Sequence, residues 1–152
     1  MFVTNIILDN KNEIMNFINK HKSSEHTLVE NGSSTYDTHN LKHEKVLSSI
    51  CETFKKITNN KFEIIELWFN KYKKGGYVKP HHHSNGDTKI KYLTGVYYFK
   101  KPKNSGELII KEKEIDTKEN DFVIFDIADT HYTTKNLSNK TKIVFSVNMK
   151  EQ

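Results

Sequence analysis

From residue 61 onward the chain is a succession of short β-branched and aromatic runs. "FEIIELWFNKY", "TKIKYLTGVYYF", "GELIIKEKEI", "DFVIFDI" and "KIVFSVNM" follow one another, separated by clusters of Gly, Asn, Asp and Lys. Runs of this length, rich in Ile, Val, Phe and Tyr and bounded by turn formers, read as strands. Evenly spaced short strands pair with their neighbours, so the pattern predicts a sandwich or jelly roll of at least six strands. Before residue 60 the periodicity is different. In "DNKNEIMNFINKHK", Asp9 or Asn10 is a candidate N-cap, and Ile14, Phe17 and Ile18 recur at helical spacing. "LKHEKVLSSICETFKKITNN" places Leu41, Val46, Leu47, Ile50, Phe54 and Ile57 on one face, which predicts a second amphipathic helix. "HTLVENGSSTYDTHN", between the two, is turn-rich and reads as a loop. No repeat and no linker divides the chain. The expectation is an α+β fold in a single domain over 1–152, with a helical flank over 1–60 and a β core over 61–150.

Composition narrows the function classes. The chain is 35% hydrophobic and 28% charged, yet its 9 Phe, 7 Tyr and 1 Trp provide large areas to bury and argue against disorder. No window of 18 apolar residues is present, so no membrane span is expected. "MFVTNIILDNKNE" lacks the basic start and long apolar run of a signal peptide. The single cysteine, Cys51, excludes an intrachain disulfide framework, and a reducing, cytoplasmic location is the simplest expectation. The net charge of +5 comes entirely from Lys, with no Arg. Arg is the preferred side chain for bidentate contacts to bases and phosphates, so the charge reads as a solvated surface and a nucleic-acid partner is not expected.

The chemistry is concentrated in "KPHHHSNGD", residues 79–87. Side chains alternate along an extended chain, so His81 and His83 point one way and His82 the other. Two imidazoles at i and i+2 can reach one metal ion. His131 stands far downstream, after the apolar run and short turn of "DFVIFDIADTHYTT". A distant His joining a pair at i, i+2 is a layout of mononuclear metal sites in β-barrels. The competing reading is a surface cluster, since His21, His26, His39 and His43 show that this chain carries loop histidines freely.

The last run, "KIVFSVNM", also alternates. Ile143, Phe145 and Val147 suit a core; Lys142, Val144, Ser146 and Asn148 share the other face. A buried Lys needs an anion or loses its proton. A ligand carboxylate would serve, with the Ser146 hydroxyl as a second donor. The competing reading is an edge strand with its polar face in water.

"WFNKYKKGGYVKPHHHSN", "LTGVYYFKKPKNSGEL", "DFVIFDIADTHYTT" and "KIVFSVNM", in that order, resemble the Fe(II)- and 2-oxoglutarate-dependent oxygenases of the double-stranded β-helix (jelly-roll, cupin-like) fold. The similarity is greatest to the prolyl-hydroxylase-like group and covers roughly residues 62 to 149. The resemblance implies that His81 and His131 bind Fe(II). It places Lys142 where the family usually has an Arg gripping the distal carboxylate of 2-oxoglutarate, and Ser146 where a hydroxyl assists. Tyr98 stands where a tyrosine bonds the same carboxylate, and Tyr72 where an early-strand tyrosine lines the pocket. The implied reaction uses dioxygen and 2-oxoglutarate to hydroxylate a small-molecule or peptide substrate, a prolyl side chain among the candidates, and releases succinate and CO2.

Two positions depart from the family pattern. The first motif is usually H-x-D or H-x-E, completing two histidines and one carboxylate around the metal. Here the third residue is His83. The third ligand is then His83, Asp87 folding back from "SNGD", or solvent; strand parity favours His83. The second departure is Lys for Arg, a point charge in place of a bidentate fork. Two other readings follow from these departures: a three-histidine cupin-type dioxygenase that needs no 2-oxoglutarate, and a non-catalytic binding module on the same fold.

Overall fold

The computed structural model describes residues 1–83 and 89–152. Ten strands and two α-helices are found there: β1 (Phe2–Asn5), α1 (Lys11–Lys20), β2 (Ser24–His26), β3 (Val29–Ser34), α2 (Ser48–Ile57), β4 (Phe62–Val78), β5 (Tyr92–Lys100), β6 (Leu108–Ile110), β7 (Lys113–Ile115), β8 (Asp121–Asp126), β9 (His131–Thr133) and β10 (Lys142–Glu151). Seven strands form one antiparallel sheet in the order β1-β8-β5-β10-β4-β3-β2, and three form a second in the order β7-β6-β9. The fold is a double-stranded β-helix, as expected from the strand pattern and the resemblance.

β10 is the centre of the large sheet, paired with β4 on one side and β5 on the other. Its alternation therefore sorts the whole sheet into two faces. Phe145 lies opposite Phe69 and Tyr97, and Val147 opposite Leu67 and Gly95. This face packs on Ile14 and Ile18 of α1 and on Ile50 and Phe54 of α2 in one apolar core. The approach is close: a Cβ on Gly95 would lie 2.6 Å from the Phe54 ring. The other face carries Tyr72, Tyr98, Val96 and Val144, and meets Leu108, Ile110 and Ile115 of the small sheet in a second core.

The N-terminal sixty residues depart from the predicted helical flank. β1 pairs with β8 and closes one edge of the large sheet. β2 and β3 extend the other edge, within the stretch read as a loop. Their side chains do not alternate in polarity, and β3 approaches β4 closely; at Gly32 an added Cβ would collide with the Lys71 carbonyl at 2.1 Å. The helix expected from residue 41 also starts late. Leu41–His43 and Lys45–Leu47 are 3₁₀ turns, and α2 follows at Ser48. α1 matches its prediction, but Asn10 does not cap it through its side chain. Instead Asn10 donates to the Val46 carbonyl at 3.0 Å and accepts from Ser49 at 2.8 Å, tying the two helices together.

β4 runs for 17 residues, and its pairing with β3 is interrupted between Tyr72 and Tyr77 by an irregularity of the kind that bends a strand. Gly75 takes a φ of +83°, a conformation costly for residues with a Cβ. Beyond this bend the chain crosses to the small sheet, where the backbones of His81 and His131 exchange two hydrogen bonds at 3.0 and 2.9 Å.

Candidate active site

The two halves of the histidine set arrive from opposite sheets. His81 and His83 follow the end of β4, and His131 opens β9. The ring centroids lie 4.2 Å apart for His81 and His131, 5.2 Å for His83 and His131, and 5.2 Å for His81 and His83. One ring nitrogen from each residue lies within 4.8 Å of the others. His82 is exposed and stands outside the cluster, in keeping with strand parity. Asp87, the alternative third ligand, lies outside the described residues.

Each of the three rings is held by its Nδ1. His81 Nδ1 lies 2.7 Å from the Lys79 carbonyl, His131 Nδ1 2.9 Å from the Asp129 carbonyl, and His83 Nδ1 2.8 Å from Oδ1 of Asn148. These oxygens only accept, so each Nδ1 carries the proton and each Nε2 keeps a free lone pair. Burial and the neighbouring imidazoles lower the pKa of His131 to about 3, and burial lowers those of His81 and His83. All three are therefore neutral at pH 7, the form that binds a metal. Trp68 and Phe125 wedge the cluster, with centroids 5.8 Å from His83 and 4.9 Å from His131.

The inner face of β10 forms the floor. Lys142 lies opposite Tyr72, Val144 opposite Asn70 and Tyr98, and Ser146 opposite Trp68 and Val96. An inner cavity of about 50 Å³ is lined by His81, His83 and His131 at one end and by Tyr72, Tyr98 and Ser146 towards the other. Lys142 does not line it directly. Its ammonium lies behind the tyrosines, 5.2 Å from the Tyr72 ring centre and 5.9 Å from that of Tyr98. Lys142 is 1% exposed and forms no hydrogen bond or ion pair among the described residues. Burial, reinforced by the nearby Lys101 charge, lowers its pKa to about 8. Lys101 is itself neutralised by Glu107 at 2.9 Å. Burial raises the pKa of Tyr72 to about 12 and that of Tyr98 higher still, so both remain hydroxyl donors.

Asn70 was not singled out in the sequence. It is 7% exposed, shares a hydrogen bond of 3.0 Å with the Tyr72 hydroxyl, and leaves its other amide atom without a protein partner. It borders both the inner cavity and a wider outer cleft of about 650 Å³. The cleft opens in front of the histidines, over the face of β3 and β4, with Tyr36, Trp68 and Tyr92 on its walls. The signal for Asn70 was its parity with Tyr72 in "FNKY", meaningful only once that strand is known to face a cavity.

This donor set fits a divalent transition metal of the kind imidazole prefers, Fe(II) among them. A buried cation without a partner, behind two tyrosine hydroxyls, fits a dicarboxylate reaching inward from that metal. The sequence model of the 2OG-Fe(II) oxygenase superfamily matches residues 67–150, more than half of the chain and the whole of this site except its entrance. The chain belongs to the 2OG-Fe(II) oxygenase superfamily. Solved structures repeat the fold at low identity. The viral collagen prolyl hydroxylase of Paramecium Bursaria Chlorella virus-1, solved with 2-oxoglutarate, aligns over 100% of this chain and 97% of its own, with TM-score 0.70 and 18% identity. HygX from Streptomyces hygroscopicus, solved with nickel, 2-oxoglutarate and hygromycin B, aligns over 99% and 82%, with TM-score 0.77 and 8% identity. A prolyl hydroxylase from Trichoplax adhaerens, in complex with a hypoxia inducible factor oxygen degradation domain peptide fragment, aligns over 99% and 82%, with TM-score 0.71 and 12% identity. No curated protein sequence matches the chain.

This oxygenase is thus an Fe(II)- and 2-oxoglutarate-dependent dioxygenase. Among the described residues no helix is long and apolar enough to cross a membrane.

Proposed function

We propose that His81, His83 and His131 hold Fe(II) through their Nε2 atoms, and that 2-oxoglutarate reaches from the metal through the inner cavity towards Lys142. When bound, Fe(II) and 2-oxoglutarate supply the oxidising chemistry, coupling decarboxylation to succinate and CO2 with hydroxylation of a C–H bond. The protein's part is binding and exclusion of water. Tyr98, Tyr72 and Ser146 donate to the distal carboxylate, and Lys142 neutralises it from behind the tyrosine rings. Asn70, at the junction of cavity and cleft, is placed to contact cosubstrate and substrate alike. The observation that carries this reading is the convergence of three tautomerically fixed imidazoles at one end of a cavity whose other end backs onto a buried lysine with no hydrogen bond or ion pair among the described residues.

The substrate occupies the outer cleft. Its aromatic walls, Tyr36 and Trp68 with centroids 4.9 Å apart, suit a flat or ring-shaped apolar group presented by a peptide. A prolyl side chain is the first candidate, in keeping with the prolyl hydroxylases among the solved relatives. A cytoplasmic setting, with iron and thiols kept reduced, agrees with the single cysteine.

Isothermal titration of 2-oxoglutarate into protein loaded anaerobically with Mn(II) tests the reading, with Lys142→Ala as control. Metal-dependent binding that disappears in the variant supports it. Metal-dependent binding unchanged in Lys142→Ala removes the anchor assignment. Succinate release on addition of proline-containing peptides then tests the substrate class.

A further inference from the structure

His83 is held differently from the other two histidines. His81 and His131 each lean on a backbone carbonyl two residues earlier. His83 instead gives its Nδ1–H to a side chain, Oδ1 of Asn148, at 2.8 Å. The Nδ2 of the same amide donates to Oε2 of Glu66 at 2.6 Å. Asn148 and Glu66 face each other in register on the central pair of strands, and Asn148 is 5% exposed.

The chain of donors has only one direction. A carboxylate accepts, so Asn148 must turn its NH2 towards Glu66 and its oxygen towards His83. That oxygen accepts in turn, so His83 must carry its proton on Nδ1 and leave Nε2 bare. Glu66 therefore selects the tautomer of a ring it does not touch. Glu66 is also the only acidic residue among the described lining of the outer cleft. Three neutral imidazoles, unlike a set containing a carboxylate, leave the charge of a divalent metal undiminished.

We propose that Glu66 and Asn148 are positioning residues of the metal centre. They form a carboxylate–amide–imidazole relay that locks His83 as an Nε2 ligand. The relay also returns, two residues further out, the negative charge that a carboxylate in place of His83 would have set directly on the metal. Partners in this outer position orient metal-binding histidines and raise their basicity. The proposal rests on His83 being a ligand, the reading given above.

The test uses two variants, Glu66→Gln and Asn148→Leu, and two readouts. Long-range ¹H–¹⁵N spectra of the metal-free, histidine-labelled protein report the tautomer of His83. Anaerobic Co(II) titration, followed by visible absorption, reports metal affinity. Wild-type protein should show His83 as the Nδ1–H form. Glu66→Gln should show a mixture, because a glutamine can either accept from Asn148 or donate to it. Co(II) affinity should fall about tenfold in Glu66→Gln, and by about ten- to a hundredfold in Asn148→Leu. An unchanged tautomer together with unchanged Co(II) affinity in Glu66→Gln overturns the relay. Asn148 is buried on a central strand; if Asn148→Leu does not fold, the half-exposed Glu66→Gln carries the test alone. His83→Ala separates the two levels of the argument. Wild-type Co(II) affinity in that variant removes His83 as a ligand. Weakened affinity there, with both relay variants unaffected, removes the relay and leaves the ligand set standing.

Discussion

The two faces of the seven-stranded sheet are built from alternate residues of the same strands, yet they are held together by different physics. On the helix side Phe54, Phe69, Tyr97, Phe122 and Phe145 stack edge to face or in parallel, with centroids between 4.1 and 5.7 Å. That face is stabilised by area removed from water. On the site side the same strands bury Lys142, Ser146, Asn148, Asn70 and Thr94. Some of these are paired, as in the Glu66–Asn148–His83 chain. Others are less well served: one amide atom of Asn70 has no hydrogen-bond partner, and Lys142 meets only the Tyr72 and Tyr98 rings, with no hydrogen bond or ion pair among the described residues. One face is complete in the free protein; on the reading proposed above, metal and cosubstrate would complete the other. Moving one position along β10 should therefore exchange a stability effect for a binding effect.

The largest expected effect is on the site side. His131→Ala removes one of the three proposed metal donors and should reduce Fe(II)-dependent succinate formation to background, with the fold retained by circular dichroism. Undiminished turnover would remove the ligand assignment. Next comes a substitution on the helix side. Phe145→Ala should cost about 3–5 kcal/mol in denaturant unfolding, the usual range for deleting a buried aromatic. A cost below about 1 kcal/mol would mean that this face is not the main core.

Lys142→Met sharpens the contrast because its two effects have opposite signs. Binding of 2-oxoglutarate should weaken by about 3 kcal/mol, roughly a hundredfold, as a charge-assisted anchor is lost. The ligand-free protein should melt at a higher temperature, because a buried, unpaired cation becomes an apolar chain of similar length. A lower melting temperature would show that Lys142 is stabilised in the free protein by a partner.

pH should act on the same group. The Lys142 pKa lies near 8 in the free protein, and a bound carboxylate requires the charged form. Affinity for 2-oxoglutarate should be flat near pH 7 and fall by up to about tenfold per unit above pH 8, with proton uptake on binding. Ligand-free stability should move the other way. The unfolded lysine holds its proton up to 10.5, so between about 8 and 10.5 the unfolded state binds more protons and this group makes stability rise with pH. Titrations in two buffers of different ionisation enthalpy, at pH 7 and 9, read the first effect; affinity independent of pH would sink it. The smallest expected change is at Gly95. Gly95→Ala places a methyl against Phe54 and should cost about 1–3 kcal/mol of stability by overpacking, with 2-oxoglutarate affinity untouched. Loss of affinity in that variant would show that the two faces are coupled.

Several parts of this arrangement were legible in the residues alone. Strand alternation is local and strictly periodic, so "KIVFSVNM" declared both of its faces, and "HHH" declared that His81 and His83 share a side that His82 does not. Amphipathic spacing likewise located α1 and the body of α2. Beyond that, strands β1, β2 and β3 carry little alternation, and their pairing is decided by the edges that the rest of the sheet leaves open. Whether the polar face of β10 was an edge in water or the floor of a cavity depended on β4 and β5 flanking it. The meeting of His81 with His131 required the bend at Gly75 and a bridge between two sheets. Glu66, Asn70 and Asn148 became meaningful only through partners distant in sequence. Periodicity encodes which way a side chain points, because that follows from backbone geometry within a few residues. What the side chain meets is decided by long-range packing, and in this oxygenase the tautomer of His83 is set there.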